Sequence, residues 1–223
     1  MDIKQSVPCA LPRPLHGFGG RALADIYRGA APMHRHASPR LALRCGTPVG
    51  AAVANGSGSA ATRLRAASSL AGTSGLPVTI AFPFASDLWP VRLWQAWHHA
   101  GSDAGPALQL ALPHAVLASL DDTGLATLRG LRSLGFALAA NGEDGVTDLR
   151  QLADLEIAAL RIRAPSPHDR ARMPGLHATV SAAGALGLTV VATGIRTEAQ
   201  RATMALLGCD EGEGPLFGAA CMA

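Results

Sequence analysis

The acids of this chain are the first side chains to test for chemistry, and their spacing gives no catalytic cluster. Asp121 and Asp122 form an adjacent pair, but they stand immediately before a helical pattern. Capping of the helix N-terminus explains them better than acid–base work. The segment DEGEG (210–214) carries three acids, and we expect it to be a solvated loop.

Histidines and cysteines are the remaining candidates for metal or redox chemistry. Four histidines lie in two close pairs, with no carboxylate or cysteine at ligand spacing: His34, His36, His98 and His99. The four cysteines are far apart and form no CxxC motif: Cys9, Cys45, Cys209 and Cys221. The sequence therefore predicts free thiols, no metal centre, no cofactor and no catalytic residue of these types.

Composition bounds the function class. The chain has 223 residues, of which 48% are hydrophobic and 16% charged, so it can build a buried core and disorder of its bulk is excluded. The net charge is +3, and the basic residues form no block, which argues against nucleic-acid binding. No signal-peptide pattern and no run of 18 apolar residues occurs, so we expect a cytoplasmic protein without a membrane partner.

Strand and helix patterns alternate from residue 76 onward. Strands are predicted at 76–82, 106–112, 136–141, 157–163 and 188–194, and a short last strand within 209–217. Helices are predicted at 88–101, 123–135, 148–156, 173–187 and 197–208, and the last has Thr197 as its N-cap. Short connections of this kind mean parallel strands with helical crossovers. Their number favours a closed (β/α) barrel over an open doubly wound sheet.

The first third is less regular. A flexible N-terminal arm is predicted at 1–20, a short helix at 21–29 and an irregular stretch at 30–40. A hairpin of RLALRC (40–45) and VGAAVAN (49–55) follows, and then a helix at 60–71. No clear boundary divides residues 21–223, so we expect them to form a single domain.

The last third carries a family resemblance. LGLTVVATGIRTEAQRATMALLGCDEGEGPLFG (186–218) resembles the C-terminal signature of bacterial EAL domains, with many glycines and apolar residues in register. Segments 76–88, 106–117 and 128–152 resemble earlier family motifs in the same order, whereas 21–75 match weakly. The resemblance implies a (β/α) TIM-like barrel of the EAL type, shortened near residues 55–76. Its members are cyclic di-GMP phosphodiesterases whose carboxylates bind two divalent metals.

The chain departs from the family pattern at nearly every metal-binding position. Where the family has acids or amides, this sequence has Ala81, Ala111, His114, Arg163, Thr193 and Arg196. The family's paired aspartates fall on Ala140–Asn141 or Asn141–Gly142, its lysine is Arg161, and its last glutamine is Glu213. The namesake tripeptide falls near 40–44 or 50–55, and neither segment holds a glutamate.

These losses predict a degenerate EAL domain that is not an enzyme and acts in bacterial signalling or regulation through protein–protein contact. The partner would be a transcriptional or signalling regulator, or a second copy in a homodimer. Aromatic side chains on one predicted helix are the interface candidates: Trp89, Trp94 and Trp97.

The alternative is a non-hydrolysing cyclic di-GMP receptor, although we expect no binding of cyclic di-GMP. Residual phosphate contacts would come from Arg161, Arg163 and Arg196. The structural alternative for these arginines is that they pair with Glu143, Asp144 or Glu156, or reach solvent.

Overall fold

The fold is known from a computed structural model, which describes residues 37–53, 60–81, 95, 108–142, 149–166 and 169–218. The predicted arm (1–20) and the predicted helix 21–29 lie outside these ranges. The helix predicted at 88–101 also lies outside them, except for Gln95, which is helical. Trp89, Trp94 and Trp97 are therefore not among the described residues.

Eight strands form a closed barrel, and this decides between the two architectures that the sequence left open. The strands are β1 (Ala37–Ala42), β2 (Pro48–Val53), β3 (Val78–Ala81), β4 (Leu108–Pro113), β5 (Ala137–Asn141), β6 (Ala159–Arg163), β7 (Thr189–Thr193) and β8 (Glu211–Glu213). Strand β1 runs antiparallel to both neighbours, β2 and β8, and the other adjacent pairs are parallel. The result is an α/β barrel with one reversed strand.

The described helices cover the outside of this barrel. They are α1 (Ala60–Ser74), α2 (His114–Ala118), α3 (Asp122–Ser133), α4 (Leu149–Asp154), α5 (Met173–Ala185) and α6 (Glu198–Leu206), with short 3-10 turns at Arg170–Arg172 and Pro215–Phe217. No helix in these parts of the chain combines the length and apolar character that crossing a membrane requires.

The predicted hairpin is confirmed, but three details of the first half differ from expectation. Strand β1 begins at Ala37, within the stretch predicted to be irregular, because its pairing with β2 extends to Val53. The short helix α2 was not predicted. The shortened connection before residue 76 does not open the barrel, since β2 and β3 pair in parallel beside it.

Two layers of side chains follow from the alternation along the strands. The outward layer packs against the helices and is built mainly of Leu, Ile and Val, for example Leu110, Leu138 and Leu160. The inward layer holds a separate cluster of small residues: Ala111, Ala139, Ala159 and Val191. The barrel interior therefore has room for polar side chains from neighbouring strands.

Two helix starts confirm the predicted caps. The Asp121 carboxylate accepts a hydrogen bond from the Gly124 backbone N–H at 2.7 Å. The Thr197 hydroxyl accepts one from the Gln200 N–H at 3.2 Å. Both side chains satisfy donors that the first helical turn leaves unpaired, which fixes where α3 and α6 begin.

The two described cysteines, Cys45 and Cys209, are free thiols, as predicted. Cys45 is exposed, whereas Cys209 is fully buried between α6 and β8. Burial, together with the negative charge of Asp210, raises the pKa of the Cys209 thiol to about 12. The Cys209 thiol is therefore protonated at neutral pH.

We expect a thiol-alkylating reagent to modify Cys45 in the native protein and to leave Cys209 unmodified until the chain is unfolded. Cys45 is exposed to the reagent, whereas burial keeps the Cys209 thiol protonated and out of reach. Peptide mass spectrometry of samples alkylated with and without denaturant measures this. Native-state labelling of Cys209 at the rate of Cys45 would contradict the packing described above.

Candidate functional site

The carboxyl ends of the parallel strands form the candidate site, because βα barrels carry their active sites at this end. Ile80, Ile162 and Ala192 belong to the outward layer. Their neighbours Ala81, Arg163 and Thr193 therefore lie on the inward face of β3, β6 and β7. Arg163 and Thr193 are adjacent across the β6–β7 ladder.

Arg161 occupies the interior just below this end. It is 8% exposed, and its Nη1 donates a hydrogen bond to the Asn141 Oδ1 at 3.2 Å. Its Nη2 forms an ion pair with Glu213, which is 7% exposed. The pair joins β6 to β8 past the intervening strand β7, so the Glu213 carboxylate is already neutralised by an internal cation.

A second buried arginine lies deeper, on the reversed strand. Arg40 Nη1 donates to Thr79 Oγ1 and to Gln109 Oε1, each at 2.8 Å. Its Nε lies 2.8 Å from Glu211 Oε2. A Cβ on Gly50 would lie 2.7 Å from Arg40 Nη2, so the missing side chain at Gly50 makes room for the guanidinium.

The electrostatics of β8 are governed by burial. Desolvation raises the pKa of the Glu211 carboxyl, and the positive charge of Arg40 offsets this only in part. The nearby negative charges of Asp210 and Glu213 raise the pKa further. Glu211 is therefore held in its charged form less easily inside the barrel than in water.

Several sequence-based expectations about charged residues were wrong. DEGEG (210–214) is not a solvated loop, because Glu211 and Glu213 lie on β8 and point into the barrel. Arg161 pairs with Glu213, a partner that the sequence analysis did not consider, whereas Glu156 pairs with Arg132. The short last strand predicted within 209–217 is confirmed as β8.

The other two arginines that were predicted to contact phosphate are exposed. Arg163 is exposed at the end of β6, and Arg196 is exposed in the connection between β7 and α6. The backbone N–H of Arg196 donates to Gln200 Oε1 at 2.9 Å, which fixes this connection against α6. The structure thus separates the buried Arg161 from the two arginines at the rim.

A metal site would need converging carboxylate, imidazole or thiolate ligands. Within the described ranges, no group of three or more His, Cys, Asp or Glu residues is placed to hold a metal ion. Ala111 is fully buried and, with Ala139, offers no ligand atom from its side chain.

Comparison with known proteins identifies the family. The model of the EAL domain matches residues 84–220, so the chain belongs to the EAL domain family. Members of this family are typically cyclic di-GMP phosphodiesterases. The search of curated proteins found no match.

Solved EAL structures share the fold. The PaMucR phosphodiesterase in complex with c-di-GMP is similar with a TM-score of 0.63 and 19% identity, over 82% of this chain and 94% of that one. The EAL domain of Mycobacterium smegmatis DcpA has a TM-score of 0.62 and 23% identity, over 82% and 90%. An EAL domain protein from Listeria monocytogenes EGD-e has a TM-score of 0.61 and 15% identity, over 88% and 91%.

Breaking the ion pair between Arg161 and Glu213 should destabilise the protein strongly. We expect Arg161→Met to lower the free energy of unfolding by about 3–5 kcal/mol, because it leaves the Glu213 carboxylate buried without a counter-charge. The matched control is Arg132→Met, which breaks an exposed pair with Glu156 and should cost about 0–1 kcal/mol. Denaturant unfolding of both variants measures the difference, and equal losses would refute the assigned role of the buried pair.

Glu211 should make stability depend on pH. Its folded-state pKa lies above the ordinary value of 4.5, so its contribution to stability is fully present below pH 4.5 and is lost as pH rises through the folded-state pKa. We expect Glu211→Gln to remove this part of the decline between pH 4.5 and neutrality. The exposed Glu198→Gln should keep the wild-type profile. The test is the free energy of unfolding of each protein, measured across this pH range. Parallel profiles for wild type and Glu211→Gln would contradict a raised pKa of Glu211.

Proposed function

We propose that this chain is a non-hydrolysing EAL domain that acts by binding another protein. The observation that carries the proposal is the set of side chains at the carboxyl end of the barrel. Inward positions on successive parallel strands hold Ala81, Ala111, Asn141, Arg163 and Thr193. Phosphodiester hydrolysis by two divalent metals needs a dense cluster of anionic oxygen ligands at these strand ends.

The namesake tripeptide supports the same interpretation. Of its two candidate segments, 40–44 lies largely on the reversed strand β1, and 50–55 begins on the parallel strand β2. Ala51 packs in the outward layer, so Ala52 faces the interior, beside Thr79 in the ladder. A carboxylate ligand would be expected at such a position, and alanine supplies none.

The charge balance also argues against metal binding. Among the described residues, Glu213 is the acid nearest to the strand ends on the inward face, and its ion pair with Arg161 already neutralises it. A divalent cation would have to displace a buried guanidinium that also donates to Asn141. Moving two metals into a site with this cation is unfavourable because like charges repel strongly where water is excluded.

A cyclic di-GMP receptor is the second candidate, and exposed cations favour it. Arg163 and Arg196 lie at the rim in solvent, and arginine suits phosphate recognition. However, the described strand-end positions Ala81, Ala111, Asn141, Arg163 and Thr193 carry no acid, so they lack the groups that hold the nucleotide through metals in the family. Protein binding remains the first proposal. The described positions at the carboxyl end of the barrel carry few carboxylates, so a protein partner that covers this end pays a smaller desolvation free energy.

Purified protein should not hydrolyse cyclic di-GMP with magnesium or manganese, because Ala111, Arg163 and Thr193 supply no carboxylate. Chromatography of the nucleotide products measures this, with an active EAL domain as the positive control. Turnover above the buffer blank that a chelator abolishes would overturn the proposal. Calorimetry tests the receptor alternative. A Kd for cyclic di-GMP below about 10 µM, roughly 7 kcal/mol of binding free energy, would favour it. In that case Arg163→Glu should weaken the binding of cyclic di-GMP.

The tryptophans of the 88–101 segment should contribute to the interface. We expect alanine at Trp89, Trp94 or Trp97 to weaken a complex with a captured protein partner, because aromatic side chains dominate binding energy at interfaces. Circular dichroism checks that each variant folds, and size-exclusion chromatography measures the complex. Unchanged binding by all three folded variants would exclude this segment, and failure to find any partner would refute the interaction function.

A further inference from the structure

The connections that follow β6 and β7 are fastened to each other at the carboxyl end of the barrel. The Ala164 N–H donates to the Thr193 carbonyl at 2.8 Å. Gln200 of α6 joins both connections, because its Oε1 accepts the Arg196 N–H and its Nε2 donates to the Pro165 carbonyl, each at 2.9 Å. The two connections therefore form one surface whose geometry is set before any partner arrives.

A groove of about 250 Å³ opens in this surface, and it is lined by Pro165, Ser166, Asp169, Met173, Thr197, Ala199, Gln200 and Thr203. Several polar groups of the lining are hydrogen-bonded within the chain. The Asp169 carboxylate accepts the Ser166 N–H at 3.0 Å. The Thr203 hydroxyl donates to the Ala199 carbonyl at 2.8 Å. The groove is smaller than the ~300–1,000 Å³ typical of small-molecule sites, so it suits one apolar side chain.

Three exposed arginines border this groove. They lie at the end of β6, just before α5 and in the connection before α6: Arg163, Arg172 and Arg196. Each precedes a residue of the lining by one or two positions. Because consecutive Cα atoms are about 3.8 Å apart, the backbone of each arginine lies within roughly 8 Å of the lining. An apolar groove is thus combined with positive charge from three different segments.

The acids of the same region do not cancel this charge. Asp169 is in the lining, and its carboxylate caps the Ser166 N–H. Glu198 is exposed in the first turn of α6 and forms an ion pair with Arg201 of the same helix. Glu198 is therefore balanced within α6. Asp169 alone faces the three bordering arginines, so the surface around the groove is basic.

We propose that this surface binds an acidic segment of a partner protein, with one apolar side chain of the segment in the groove and its carboxylates on the bordering arginines. The inference rests on the proposed function and adds the chemistry of the partner. Arginine suits carboxylates because its planar guanidinium can donate two parallel hydrogen bonds to them. The apolar side chain gives the contact a selectivity that attraction between charges lacks.

Charge complementarity favours this occupant over the alternatives. A two-fold contact between copies of the chain would place the basic surface against itself, which is destabilising. A nucleic acid would be held by a longer basic stripe along its phosphates and would leave the apolar groove unused. A basic segment of a protein would meet the three arginines with its own sign.

Selection from a displayed library of random peptides on the immobilised full chain tests the proposal. We expect the enriched peptides to place an apolar residue between Asp or Glu residues. Selection on the Arg196→Glu protein should not enrich these peptides, because one bordering cation is replaced by an anion. No enrichment on the wild-type protein, or enrichment of peptides without acids, overturns the proposal.

Fluorescence anisotropy with the most enriched peptide separates the groove from the charge. We expect Arg196→Glu to raise the peptide Kd at least tenfold. Thr203→Phe should do the same without a change of charge, because it fills the groove from its own wall. The matched control is Arg129→Glu, which makes the same change of net charge at an exposed position of α3 and should alter the Kd less than about twofold. Circular dichroism checks that each variant folds.

A change in the peptide tests the groove independently of protein folding. Serine in place of the apolar residue should raise the Kd at least tenfold on wild-type protein. Equal binding of both peptides, or an equal loss in Arg129→Glu and Arg196→Glu, means attraction by net charge alone and overturns the proposal. If the selection fails while the tryptophan variants weaken a captured complex, this proposal fails and the proposed function stands. Hydrolysis of cyclic di-GMP by a protein that selects acidic peptides would refute only the proposed function.

Discussion

The barrel depends on the pairing of two inward glutamates of β8, the half-buried Glu211 and the buried Glu213, with two buried arginines. Glu211 meets Arg40 of the reversed strand β1, and Glu213 meets Arg161 of β6. Strand β8 has only three residues, and it closes the barrel between β7 and β1. An unpaired charge at either place would carry a large desolvation cost, so the ion pairs and the closure of the barrel stabilise each other.

This arrangement also determines what the interior can do. Small side chains such as Ala111, Ala139 and Ala159 leave space that the two guanidinium groups enter. Thr79 and Gln109 then bind the inner guanidinium, and Asn141 binds the outer one. The described interior is consequently a set of paired charges. Its two inward glutamates, Glu211 and Glu213, are used for the chain's own cations.

A protein with such an interior can still act through its outer surfaces. The rigid barrel holds helices at fixed positions, and function on this fold is a matter of which side chains those positions carry. The outer faces of α1 and α3 carry the exposed Arg65 and Arg129, whereas α6 exposes the apolar Leu206. The proposed function therefore assigns this chain a role in binding, through the carboxyl end of the barrel and the tryptophan segment.

The sequence by itself determined the class of fold and the family. Regular alternation of strand and helix predicted the barrel, the motif at 186–218 indicated the EAL family, and Asp121 and Thr197 were predicted as caps. These features depend on local spacing, which a sequence displays directly. The partners of the buried charges were decided only by the tertiary structure. Glu213 lies 52 positions from Arg161, and only the pairing of both strands with β7 brings β8 close to β6, so that the acids of a glycine-rich segment face inward.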